Sequence, residues 1–309
     1  MPLTTTTPKP MLRIAGAPVT EHQIVKAREA GVREIVLATS YLAEVFEPYF
    51  GDGSDFGIQI RYSIEHEPLG TGGAIAHAAQ QLQLESDESF FVFNGDVISA
   101  HDLNEQHEMH ERSRAAATLH LVEVEDARAY GCVPIESDGR VRQFLEKMER
   151  PIANTINAGC YVLSSDVVRS IKPGAVVSVE RETFPQLLES GVRVNGFVDS
   201  QYWIDMGTPQ SLIRASRDLI LEPDRTSLRV GATNGALISS GAKVDPSARI
   251  EGGSCIEDGA IIRPGAVISG SIISQGATID DGAVIIDSFI APNSRVIGGS
   301  SLNNAIFGY

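Results

Sequence analysis

The sequence predicts two architectures in series: an α/β domain with a mixed, mainly parallel sheet and flanking helices, then a parallel β-helix. Three observations predict this. Apolar runs of strand length alternate with helical stretches over the front two-thirds of the chain. A repeat of about six residues fills the end. Between them, residues 223–241 carry Pro, Gly, Asn and Ser without period, which marks a boundary. The expected division is residues 1–222, a linker at 223–241 and a β-helix at 242–309.

Taken in order, Thr20-Glu21-His22-Gln23 has the spacing of a capping box, Ile24 and Ala27 follow on one face, and Gly31 ends that helix. A β-rich run at Glu34–Ala38 precedes a helix near Leu42–Tyr49 and an alternating strand at Ile58–Tyr62. A glycine-led helix from Gly72, the apolar run Phe90–Phe93, a helix near Asp102–Arg112 and a strand at Thr118–Val124 continue the alternation. Cys132–Ile135 and Arg140–Phe144 flank Ser137-Asp138-Gly139, a hairpin signal.

In the tail an aliphatic residue recurs at Val244, Ile250, Ile256, Ile262, Ile268, Ile273, Ile279, Ile285, Ile290, Val296 and Leu302, in steps of six with two of five. Two residues before each stands Ala or Ser. That period fits neither a helix nor one long strand. It fits short strands joined by tight turns, the aliphatic side chain stacking inward and the small one leaving room at the corner. The pattern resembles the left-handed β-helix of hexapeptide-repeat proteins. All seven histidines precede the repeat, so a histidine base within the coils is excluded and an assembly surface is expected. The last coil, at Phe307-Gly308-Tyr309, lacks a polar cap and is expected to be covered by a partner or to miss its natural end.

A net charge of −15 argues against nucleic acid as a partner, because such binding rests on excess Lys and Arg. A small anionic substrate would need a few local cations and a metal. No apolar run approaches membrane-spanning length, and no signal core follows the first residues. Three scattered cysteines, with no CxxC pair, fit a reducing compartment, the cytoplasm.

Two carboxylates stand where a hard cation would be useful. Asp96 in Asn94-Gly95-Asp96 follows the strand Phe90–Phe93, at its carboxyl end. Asp205 in Trp203–Pro209 stands at a strand-to-helix junction, with Gly207 for the turn and Thr208-Pro209 as cap and first helical residue. The two could share Mg²⁺ with substrate phosphates; a solvated turn and a capping Asp are the alternatives. Leu69-Gly70-Thr71-Gly72-Gly73 opens a helix whose glycines allow close approach of a ligand, or simply a tight turn. Glu146-Lys147 pairs a hydroxyl acceptor with a phosphate contact, or is a solvated ion pair. In His107-Glu108-Met109-His110-Glu111 the histidines are three apart, not the four of HExxH, so no zinc site is expected there.

Together these segments, with Thr7–Met11, Tyr130–Val133, Asn157–Tyr161 and Ser178–Glu182, resemble the sugar-phosphate nucleotidyltransferases, most closely the mannose-1-phosphate guanylyltransferase branch. The resemblance spans residues 2 to about 222 and implies a Rossmann-like fold. It further implies Mg²⁺ on Asp96 and Asp205, nucleotide contacts from Leu69, Gly70, Thr71, Gly72 and Gly73, and sugar contacts from Gly131, Glu146, Asn157 and Gly159. Lys147 would meet the sugar phosphate and Lys9 the nucleotide phosphates. GTP and mannose 1-phosphate would be the substrates, GDP-mannose and pyrophosphate the products, and a homo-oligomer would form through the β-helix.

One departure is large. The family opens with an apolar strand and a glycine-rich loop carrying an arginine, whereas here Met1 directly precedes Pro2-Leu3-Thr4. The expectation is a true start upstream of Met1, little transferase activity in the 309 residues alone, and exposed sheet edges where an interior strand is lacking. Met148 and Gly72 are lesser departures, where Pro and Ala are common. The alternatives are a non-catalytic regulatory subunit that binds a sugar nucleotide, or a glucose-1-phosphate transferase using UTP, dTTP or ATP.

Overall fold

The structure is a computed structural model that describes residues 2–5, 7–39, 42–65, 67–145 and 147–308. The elements begin with β1 (Arg13–Ile14), β2 (Ala17–Pro18), α1 (Val19–Glu29), β3 (Glu34–Thr39), α2 (Glu47–Phe50), β4 (Gln59–Ile64) and α3 (Gly70–Ala79). Next come β5 (Ser89–Phe93), β6 (Val97–Ser99), α4 (Leu103–Ser113), β7 (Ala117–Glu123), β8 (Thr155–Ser164) and α5 (Ser165–Ser170). Then follow α6 (Phe184–Glu189), β9 (Val194–Asp199), β10 (Trp203–Asp205) and α7 (Pro209–Leu221), before a run of short strands. The chain forms two compact units, neither contiguous in sequence: Ala27–Val97 with His101–Trp203, and Met1–Lys26 with Ile98–Ala100 and Ile204–Tyr309.

In the first of these, β3 and β4 pair in parallel from Glu34 opposite Gln59 to Thr39 opposite Ile64. A separate mixed sheet has the order β5-β8-β7-β9, with β8 antiparallel to both neighbours and β7 parallel to β9. Its centre is the core: Leu119 and Leu121 of β7, Tyr161 and Leu163 of β8 and Phe184 of α6 are fully buried. Phe144 stacks on Phe184 with ring centroids 5.0 Å apart. The edge differs. Among the described residues β5 has one partner strand, β8, and every residue of its Ser-Phe-Phe-Val-Phe run is half-buried.

Asp102 caps α4 by accepting the N–H groups of Asn104 and Glu105. His110 of that helix is buried, its Nδ1 3.1 Å from Thr118 Oγ1, which explains its presence without a metal. The Ser137-Asp138-Gly139 hairpin forms through bridges between Cys132 and Leu145 and between Ile135 and Val141.

The second unit joins the chain's beginning to its end. Arg13–Ile14 and Ala17–Pro18 make a hairpin the sequence reading lacked, turning on Ala15 and Gly16, both with positive φ (45° and 84°). Ala is disfavoured there; its N–H is held by Ser216 Oγ of α7 at 2.9 Å. Thr20 lies inside α1 and does not cap it, because the helix begins at Val19 and the Thr20 hydroxyl donates to Pro10 O at 3.0 Å. Thr208 does cap α7, in a reciprocal box with Ser211, and Pro209 is the first helical residue.

The tail is a left-handed β-helix of three parallel sheets. One runs Ala236–Ile238, Ser254–Ile256, Ile272–Ile273, Phe289–Ile290 and Ile306–Phe307, so the stack starts ahead of the first repeat residue, Ala242. Ala236 pairs with Ser254, a coil of 18 residues (254 − 236). Cys255 pairs with Ile272 and Ile272 with Phe289, coils of 17, which equal two steps of six and one of five. The aliphatic series from Ile256 to Val296 is buried as one column stack. At the corner with the short step the small residue is Ser in the three middle coils, between Ala236 and Ala305, for a reason. Ser254 Oγ accepts from Ser271 N, Ser271 Oγ from Ser288 N, and Ser288 Oγ from Ala305 N, at 3.0–3.3 Å. Each hydroxyl also donates to a carbonyl of its own coil. Buried backbone donors at this corner are thereby satisfied.

Candidate functional site

The functional residues of the Ala27–Trp203 unit gather around an irregularity in β8. Between the pairs Leu119–Tyr161 and Leu121–Asn157, β7 advances two residues and β8 four. Ala158-Gly159-Cys160, opposite His120 alone, bulge, and Gly159 has φ +77°. A Cβ on Gly159 would lie 2.9 Å from Asn94 Nδ2, so glycine serves both conformation and space. The bulge presents its carbonyls sideways: Gly159 O accepts Asn94 N at 2.7 Å and Ala158 O accepts Trp203 Nε1 at 2.9 Å. In this way Asn94-Gly95-Asp96, Asn157–Tyr161 and Trp203 are fastened to one another.

Asn157 is fully engaged within the protein. Its Oδ1 accepts Gly159 N at 3.0 Å, and its Nδ2 donates to Tyr161 Oη and to Glu180 Oε1, each at 2.8 Å. Tyr161 Oη donates to the same Glu180 oxygen at 3.4 Å. Burial, reinforced by the Glu180 charge, holds the Tyr161 pKa well above the phenolic range, so the hydroxyl keeps its proton. Glu180 itself is exposed, on a single π-helical turn, Val179–Thr183.

The glycine loop is covered by the chain at 175–179. Gly72 N and Gly73 N both donate to Val177 O, at 2.8 and 3.3 Å, and Val177 N donates to Leu69 O at 2.9 Å. Thr71 Oγ1 accepts Val179 N at 2.9 Å. A Cβ at Gly70 would come within 2.6 Å of Val177 O, and at Gly72 within 3.2 Å. These glycines admit a neighbouring backbone, and two helix-opening N–H groups that the sequence reading left for a ligand are spent on it. Leu69 N is taken by Glu65 Oε2 at 2.9 Å.

Gly131 has φ +77° beside the Cys132–Leu145 bridge, whose two backbone bonds are each 3.0 Å. The bridge sets the Gly131 turn against the strand that leads to exposed Lys147; Glu146 lies outside the described residues. Tyr130 packs edge-on against Trp203 at 5.8 Å.

Asp96 is half-buried in the turn after β5, closed by Val97 N donating to Asn94 O at 3.3 Å. Asp205 belongs to the other unit, half-buried at the end of β10, which pairs with β6. A Cβ on Gly207 would lie 3.0 Å from Asp205 Oδ1, so glycine keeps that oxygen uncrowded. Lys9 opens a turn, Lys9–Met11, in the same unit as Asp205. Among the described residues no three His, Cys, Asp or Glu side chains cluster as a metal site. Asp96 and Asp205 each offer carboxylate oxygens, the hard donors that a divalent cation takes. No described helix is long and apolar enough to cross a membrane.

The residues that the sequence reading missed are Tyr161 and Glu180 as partners of Asn157. The signal was available: Ser178–Glu182 was distinctive, yet nothing local placed it beside the bulge.

Solved structures share this α/β fold. HddC from Yersinia pseudotuberculosis superimposes with a TM-score of 0.60 at 28% identity, covering 69% of this chain and 91% of that one. A putative glucose-1-phosphate thymidylyltransferase from Bacillus anthracis gives 0.61 at 22% identity over 70% and 87%, a likeness of fold. The profile of the family described as nucleotidyl transferase matches residues 1–222, and the chain belongs to that family. It is 49% identical over 220 residues to a mannose-1-phosphate guanylyltransferase of Mycobacterium tuberculosis, covering 71% of this chain and 60% of the relative. It is 36% identical to the catalytic subunit beta of the Danio rerio enzyme, over 69% and 59%. The chain thus spans about three-fifths of the length of these curated relatives.

Proposed function

We propose that the protein transfers a guanylyl group from GTP to mannose 1-phosphate, giving GDP-mannose and pyrophosphate. The observation that carries this reading is the 49% identity over 220 residues to a mannose-1-phosphate guanylyltransferase. An HddC structure complexed with GMP-PN, 29% identical, supports a nucleotide in this fold. An oxygen of the sugar phosphate attacks the α-phosphorus in line, and pyrophosphate leaves opposite. The protein's task is positioning and neutralising charge. Lys147 meets the sugar phosphate and Lys9 the nucleotide phosphates; Leu69–Gly73 border the base and ribose; Gly131, Glu146, Asn157 and Gly159 surround the sugar. Asp96 and Asp205 would hold Mg²⁺, which supplies a positive charge shared among phosphate oxygens. Three buried free cysteines suit the cytoplasm, and the regular β-helix suits a homo-oligomer as its surface for assembly.

The test is pyrophosphate release from GTP with mannose 1-phosphate and Mg²⁺, alongside calorimetric titration with GDP-mannose. Turnover with GTP in preference to UTP, dTTP and ATP is expected. Binding of GDP-mannose without turnover would make the chain a regulatory subunit; neither binding nor turnover would overturn the reading.

A further inference from the structure

Resting on that reading, we propose that Gln106 of α4 is a positioning residue, which sets the shape of the β8 bulge without touching substrate, and that His101 in turn sets Gln106. The three carbonyls of the bulge are each taken by a different element. Ala158 O accepts Trp203 Nε1, Gly159 O accepts Asn94 N, and Cys160 O accepts Gln106 Nε2 at 3.4 Å. The same Gln106 nitrogen donates to Thr118 O of β7 at 3.1 Å, so one amide spans the two strands where their register slips. Gln106 is fully buried, on the helix face that also carries Leu103 and His110. A buried amide is costly where hydrocarbon would pack, unless its hydrogen bonds are needed.

The orientation of that amide is forced. Backbone carbonyls only accept, so the nitrogen must face the strands and the oxygen must face away. The oxygen lies 2.9 Å from His101 Nε2, which therefore carries a hydrogen and donates it. His101 is itself held: its ring stacks on His120 with centroids 3.7 Å apart and planes 23° from parallel. His120 Nε2 lies 3.3 Å from Asp199 Oδ1, an acceptor, on β9. A line of contacts thus runs from Asp199 through two buried imidazoles and Gln106 to the bulge. Turned over, Gln106 would set its oxygen against two carbonyls and its nitrogen against a donor.

The experiment is calorimetry of the full chain with GDP-mannose and, separately, with GDP, for the native protein, Gln106→Met, His101→Phe and His101→Gln. Met keeps the length of the side chain and loses its hydrogen bonds. Phe keeps a ring against His120 and cannot donate, whereas Gln restores an N–H near the place of Nε2. Q106M and H101F are expected to weaken GDP-mannose binding about five- to thirtyfold, with GDP binding held within about twofold, and H101Q to recover most of the loss. Equal weakening of both ligands, weakening of neither, or no recovery in H101Q would overturn the proposal with the functional reading intact. H101F decides where Q106M fails to fold; if both fail to fold, the pair serves the fold and not the site, and the proposal falls. A native chain that binds neither ligand would overturn both readings.

Discussion

The β-helix and strand β5 are both made of apolar residues in short strands, and they end in opposite conditions. In the tail, each interior aliphatic from Ile256 to Val296 is buried against the coil above and below. In β5, Phe90, Phe91, Val92 and Phe93 are no less apolar, yet all are half-buried, with β8 as the one partner strand among the described residues. Composition is therefore not what decides burial. The β-helix repeats its register, so each strand finds its neighbour 17 or 18 residues away. A non-repeating sheet draws its strands from distant segments, and its outermost strands keep an unpaired edge.

This comparison is breakable. The largest effect is expected for Ile279→Ala: a fully buried column residue should cost about 3–4 kcal/mol, read as a fall in melting temperature of the tail. If it costs as little as a surface change, the column is not the source of stability.

Acid should strike both units alike, because each has a buried neutral histidine. His22 sits between Ile14 O and Thr226 Oγ1, and burial pulls its pKa from 6.5 down to about 4. Burial of His110 pulls it likewise to about 4. The unfolded chain takes up these protons first. Stability is thus full above pH 6.5, falls as pH drops from 6.5 to 4, and loses up to about 3 kcal/mol at His22 and less at the more accessible His110. Denaturant midpoints measured across that window for native protein and His22→Asn check it; identical slopes would refute the assignment.

Ser271→Ala removes the acceptor of Ser288 N and should destabilise by about 1–2 kcal/mol, against nearly nothing for Ser301→Ala on an exposed position. Smallest of all, Val92→Ala should cost about 1 kcal/mol, since part of its surface is already wet. Hydrogen exchange offers the same contrast without mutation: β5 amides are expected to exchange ahead of those at Ile272–Ile273. Protection of β5 equal to that of the tail would erase the distinction.

The tail was legible residue by residue because its period is short and every position meets its own equivalent one coil away. Even the serines, unexplained by the repeat, become clear once the five-residue step is seen as a corner with donors to satisfy. The other unit was legible in its elements and less so in its site. Asn157 and Gly159 could be marked from sequence, but the commitment of Asn157 to Tyr161 and Glu180 depends on a bulge and a π turn, neither of which has a periodic signature. The glycines at 70–73 were readable as places of close approach; that the approaching group is Val177 of the same chain required the fold. The hairpin at 13–18 escaped because Ala-Gly is a poor turn signal, held here by Ser216, 201 residues away.

That last bond has a bearing on synthesis. Arg13 pairs with Glu257 at 3.2 Å and Ala15 with Ser216, so residues made early in translation belong structurally to residues made much later. The segment from Ala27 to Trp203 can condense while the hairpin at 13–18 waits for partners still unmade, and a message stalled before Ser216 would leave that hairpin without its anchor.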